Sequence, residues 1–111
     1  MRRNIRMHNY LSKSLLDDND LKIDECVILG SKSFHMKLQP EEGTIGLYVV
    51  SGCATVYEFD INLVIIDTSI VAPGQLLRLN AAKTKTILIE SLGSFDEDVK
   101  FLKIERKLHA R

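Results

Sequence analysis

The sequence predicts an all-β protein, a small antiparallel barrel or sandwich preceded by one short N-terminal helix or arm. Three observations carry that expectation. From residue 21 onward, short runs rich in Val, Ile, Leu, Phe and Tyr follow one another closely. Gly, Pro, Asn and Asp punctuate them where the chain must turn. Only one stretch reads as a helix, which argues against a parallel α/β sheet with its alternating helices.

Residues 1–20 differ from the rest. Asn9 is a candidate cap for a short helix carrying Tyr10, Leu11, Leu15 and Leu16, and Asp17, Asp18, Asn19 and Asp20 would end it. Acidic residues at a helix C-terminus oppose the dipole, so this helix needs tertiary contacts. The alternative is an arm that packs on a partner chain. We therefore divide the chain into an arm or short helix at 1–20 and a barrel domain at 21–111.

Strands are expected at about 22–29, 33–38, 45–51, 53–59, 62–67, 75–80, 85–91 and 97–106. Phe34, Met36 and Leu38 alternate with Ser33, His35 and Lys37, the pattern of a half-buried strand. Residues 45–50 are apolar on both parities apart from Gly46, as are 63–66, which predicts cover on both faces of each. A second subunit would supply the outer cover. At Pro73-Gly74, Pro fixes one φ and Gly accepts the positive φ of a type II turn. In the last run, Phe101, Ile104 and Leu108 also fit helical spacing, but its β-branched content favours a strand.

At 111 residues the chain has the size of one domain, and 45% hydrophobic content is that of a globular protein. Fifteen basic and fifteen acidic residues cancel, so no field of one sign draws it to nucleic acid or an anionic membrane. The basic groups Arg2, Arg3 and Arg6, and Lys100, Lys103, Arg106, Lys107 and Arg111, read as solvated termini. Cys26 and Cys53 sit in apolar runs, form no CxxC pair, and are expected to be buried reduced thiols of a cytoplasmic protein. No apolar segment of signal-peptide type follows the first arginines, and the longest nearly uncharged stretch, 43–54, is too short to span a bilayer. No membrane partner is expected.

The stretch 38–91 resembles the double motif of the cupin family. Gly46-Leu-Tyr-Val-Val-Ser-Gly52 is similar to the end of the first motif, where a strand runs into a Gly turn, and Val71-Ala-Pro-Gly-Gln-Leu-Leu-Arg-Leu-Asn80 is similar to the start of the second. The resemblance implies a cupin-like antiparallel β-barrel or jelly roll, commonly paired into dimers. It also implies a metal held by two histidines, a glutamate and a final histidine. Laying Gly52 and Gly74 on the two motifs puts Leu38 and Pro40, or Gln39 and Glu41, at the first histidines, Ile45 at the glutamate and Lys85 at the last histidine. Asn80 and Ala82 replace the second motif's Pro and Gly. The imidazole set is gone, and His8, His35 and His109 are too scattered along the chain to rebuild it. No metal and no cofactor are expected.

Other candidate chemistry is sparse. Glu41-Glu42, adjacent carboxylates that would point to opposite faces of a strand, read as a solvated turn. His35 should face away from Phe34 and Met36. Lys85 stands where the family's side chain enters the barrel, so it would hold an anionic group there or carry a depressed pKa, or, one register away, meet solvent. Arg78 interrupts an apolar run and would bind a carboxylate or phosphate or pair with a neighbouring strand's Glu. A phosphate loop and a nucleophile elbow are both missing, and seven aromatics without Trp poorly supply the stacking that single-stranded nucleic acid needs.

Together these readings favour a metal-free binding or assembly module working as a homodimer, with Tyr48 on a sheet face open to a partner. A small polar or anionic ligand would meet His35, Glu58, Arg78 and Lys85. The resemblance also implies an alternative, a metal-independent enzyme acting on a sugar nucleotide or nucleoside, with His35, Glu58 and Lys85 doing acid–base work. An interaction protein of a phage or bacterial regulatory system is the third class.

Overall fold

The computed structural model describes residues 10–30, 33–38, 44–92 and 97–107. They form nine strands: β1 Tyr10–Asp17, β2 Leu21–Ile28, β3 Ser33–Lys37, β4 Thr44–Ser51, β5 Ala54–Phe59, β6 Ile65–Val71, β7 Leu76–Asn80, β8 Thr86–Ser91 and β9 Val99–Arg106. Two antiparallel sheets result, one ordered β1-β2-β9-β4-β7 and one ordered β3-β8-β5-β6. Alternation along each strand decides which side chains meet between them. Cys26, Ile28, Ile45, Leu47, Val49, Leu79, Val99 and Phe101 from the first sheet face Met36, Ala54, Val56, Val71, Ile87 and Ile89 from the second, in one hydrophobic core.

Most strand expectations hold, with two corrections. The helix expected after Asn9 is instead strand β1, hydrogen-bonded along its length to β2, while Asn9 itself lies outside the described residues. The acidic cluster that would oppose a helix dipole has another use. Asp18 Oδ1 accepts the backbone amides of Asp20 and Leu21, each at 2.8 Å, and so shapes the β1–β2 turn. The second correction concerns 45–50 and 63–66, each expected to be covered on both faces: Tyr48 and Val50 are exposed within this chain. Leu63, Val64, Ile65 and Ile66 are all exposed within this chain. The turn after β5 runs longer than expected because Asp60 Oδ1 captures the amides of Asn62 and Val64, at 2.8 and 3.0 Å, and Leu63 takes a left-handed φ of 63°. β6 therefore begins only at Ile65, as an edge strand.

The expected type II turn is present, with Gly74 at φ 86° and the amide of Gln75 bonded to the carbonyl of Ala72 at 3.0 Å. It joins β6 to β7, which are edges of opposite sheets and are not hydrogen-bonded to each other. The barrel is thus open along that seam. The final run is strand β9, placed centrally in its sheet, with Leu108 outside the described residues.

Candidate functional site

The open seam leads into a cleft of about 520 Å³ lined by Glu58, Asp60, Ile66, Asp67, Leu77, Arg78, Asn80, Lys83 and Thr84. Parity explains its floor. Ala54 and Val56 of β5 point into the core, so Glu58, two residues on, points the same way and is only 7% exposed. Thr84, 2% exposed, donates its hydroxyl to Glu58 Oε1 at 2.6 Å. The β5–β6 register sets Asp67 directly opposite Glu58, placing both carboxylates on one face. At the rim, Arg78 extends from the edge strand β7 and Lys83 from the turn after it, both exposed.

Of the residues singled out from sequence, Glu58 and Arg78 meet in this cleft. Lys85 is half-buried and lines an adjoining cleft of about 470 Å³ with Lys37, Leu38, Asp60, Ile61, Leu63 and Thr86. Its ammonium donates to the carbonyl of Ala81 at 2.8 Å. His35 is exposed on β3, on the face away from buried Met36. His35, Glu58 and Lys85 do not converge on one point. Among the described residues Arg78 has no ion pair, so a partnership with a neighbouring strand's Glu is not what holds it. Sequence reasoning missed Asp60, Asp67, Asn80, Lys83 and Thr84. The available signal was Asp67 in an otherwise apolar run, and only the cross-strand register gives it meaning.

The positions that correspond to metal ligands do not fit a metal ion. Leu38 and Ile45 carry no donor atom and lie in the hydrophobic core, 5% and 0% exposed. Lys85 is tied to a backbone carbonyl, and the amide of Leu38 bonds to the Lys85 carbonyl at 2.9 Å. Gln39, Pro40, Glu41, Glu42, His8 and His109 lie outside the described residues. Among the described residues no three of His, Cys, Asp and Glu gather in a way that could hold a metal.

A second surface lies on the outer face of the five-stranded sheet. Register aligns Leu16, Ile23, Ile104, Gly46 and Arg78 in one row across all five strands, and Lys13, Glu25, Leu102, Tyr48 and Leu76 in the next. The absence of a side chain at Gly46 leaves a dimple of about 300 Å³ walled by Leu21, Leu76 and Ile104, with Arg78 and Arg106 at its edge. Leu16, Tyr48 and Leu76 are exposed at 39, 36 and 51%. This face is continuous and mostly apolar.

No family profile matches the sequence. No curated protein matches it either. Among solved structures, the chain is similar to the Cupin_2 domain of an XRE family transcriptional regulator from Enterobacter cloacae, with a TM-score of 0.73 and 11% identity, covering 92% of this chain and 100% of that one. It is similar to a cupin superfamily protein from Desulfitobacterium hafniense, at 0.66 and 17%, covering 95% and 84%. An HTH_3 family transcriptional regulator from Vibrio cholerae matches at 0.70 and 16%, covering 91% of this chain and 52% of that one. At such identities the likeness speaks to fold, and with the two facing antiparallel sheets it gives the conclusion: this chain has the fold of a small cupin barrel.

Proposed function

We propose that this chain is a homodimeric, metal-free binding module, in which two copies pair through the outer face of the five-stranded sheet and leave each seam cleft open to a ligand. The observation that carries the pairing is the pair of register-aligned rows across that face. A sheet wetted on one side ordinarily alternates apolar-in with polar-out, whereas here Leu16, Ile23, Ile104, Leu102, Tyr48 and Leu76 point outward together. An apolar face of this kind matches a self-complementary two-fold interface, with Tyr48 near its centre as the aromatic anchor.

The acid–base enzyme reading loses support because His35, Glu58 and Lys85 occupy separate places. The regulatory reading draws support from two similar folds that belong to transcriptional regulators. A ligand-binding dimer is compatible with it.

Sedimentation velocity tests the pairing. The wild-type chain should sediment as a dimer at micromolar concentration, and Tyr48→Asp, at an exposed position that leaves the core intact, should weaken dimerisation by about 100-fold or more. A wild-type monomer at micromolar concentration would remove the proposal.

A further inference from the structure

We infer that the seam cleft is a site for a small zwitterion, whose ammonium group sits against Glu58 and Asp67 and whose carboxylate or phosphate group meets Arg78 and Lys83. The inference names the ligand class of the binding module proposed above, and its test reads ligand contact rather than oligomeric state.

Glu58 anchors the site. Its side chain is more than nine-tenths buried and lines the cleft, with Oε1 held by the Thr84 hydroxyl. Among the described residues no donor reaches Oε2. A carboxylate out of water with one oxygen unsatisfied is costly, and a donor entering the cleft removes that cost. Asp67 stands directly across the strand pair, where two like charges repel. Among the described residues its Oδ1 accepts only the amide of Thr68, at 2.9 Å, and Asp60 Oδ1 accepts the amides of its own turn. The pair therefore presents negative charge and open acceptors to a cationic donor. With no metal-ligand cluster among the described residues, an ammonium group fits this end better than a metal ion.

The same cleft also carries the other sign. Arg78 and Lys83 line the same cleft, yet among the described residues neither forms an ion pair with any of the three acids. Five charged side chains of both signs thus face one cavity without neutralising one another. A ligand carrying both charges would complete both ends at once. The volume of about 520 Å³ suits a molecule of metabolite size.

Phosphoethanolamine is a suitable probe because its two halves, ethanolamine and inorganic phosphate, separate the two ends. In a ¹H–¹⁵N NMR titration through the millimolar range, the whole molecule should give saturable shifts at the amides of Glu58, Asp67, Lys83 and Thr84. Each half at matched ionic strength should bind at least about tenfold more weakly. Glu58→Gln, which keeps the side chain's shape, and Lys83→Ala, at an exposed position, should each weaken phosphoethanolamine by about tenfold while the spectrum stays dispersed. Absence of saturable shifts in the folded dimer overturns the inference. So does binding of phosphate alone as tightly as the whole, or an unchanged affinity in Glu58→Gln. Sedimentation of the same samples reports separately on the pairing, so a failed titration and a failed dimer remain distinguishable.

Discussion

The runs 45–50, in β4, and 63–66, which enters β6, are both apolar on both parities apart from Gly46, yet the fold places them differently. In β4, Ile45, Leu47 and Val49 are buried at 0–2% exposure, while Tyr48 and Val50 face outward. In β6, Ile65 and Ile66 are both exposed, at 52 and 42%, and only Val71 at the far end is buried. The difference is position. β4 lies between β9 and β7, so both of its edges are paired and its inward face packs into the core, whereas β6 pairs only with β5 and is an edge beside the open seam. An apolar run on both parities therefore reports a demand for cover without saying which face the chain itself supplies.

The most severe way to probe this comparison is to cut the same bulk from each strand. Leu47→Ala should cost about 2–5 kcal/mol of unfolding free energy by urea denaturation, as a buried deletion that leaves a cavity. Ile66→Ala should stay within about 0.5 kcal/mol, as expected for an exposed site. Equal losses would mean that β6 is as well covered as β4.

A smaller contrast lies in the turns that end the two strands. Gly52, after β4, has φ 77°, and a Cβ there would lie 2.5 Å from the carbonyl oxygen of Asp98. Gly74, after β6, has φ 86° with nothing within 4 Å. Gly74→Ala then incurs only the left-handed backbone penalty of about 1–2 kcal/mol, while Gly52→Ala adds a backbone clash and should lose more, as thermal denaturation would show.

The smallest effect concerns β1, the other edge of the β4 sheet. Asp17 is held below the ordinary Asp value of 3.8 by its hydrogen bond and charge contact with Lys107, and Asp18 by the amides of Asp20 and Leu21. A carboxyl whose folded pKa is depressed stabilises fully above its unfolded pKa, and that contribution disappears as pH falls through the folded value. Hydrogen exchange should therefore show β1 amides losing protection below about pH 4, with less pH dependence in Asp17→Asn/Asp18→Asn. Both groups are solvent-exposed, so the effect should be slight and weaker in salt.

Much of the fold was legible because local chemistry and tertiary placement agree. Phe34 and Met36 alternate with exposed His35, and Pro73-Gly74 builds the turn that its residues dictate. What was not legible depends on contacts distant in sequence. Leu11 and Leu15 fit a helix as well as a strand, and pairing with β2 decides between them. The loss of the family's ligands at Leu38, Ile45 and Lys85 is a matter of residue identity and could be read directly. The gathering of Glu58, Asp67, Lys83 and Thr84 could not, because it depends on the β5–β6 register and on a seam between two edges. Burial pushes the Cys26 thiol up, consistent with its reading as a buried small hydrophobe, whereas Cys53 is only partly buried.

In the proposed dimer the outward face of β4, rather than the exposed edge at β6, is where two copies meet. Isotope-filtered NMR on a dimer mixed from labelled and unlabelled chains reads that contact directly. We predict intermolecular contacts from Tyr48, Leu102 and Ile104. Intermolecular contacts confined to Ile65, Ile66 and Ile70 would contradict the account and move the interface to the seam.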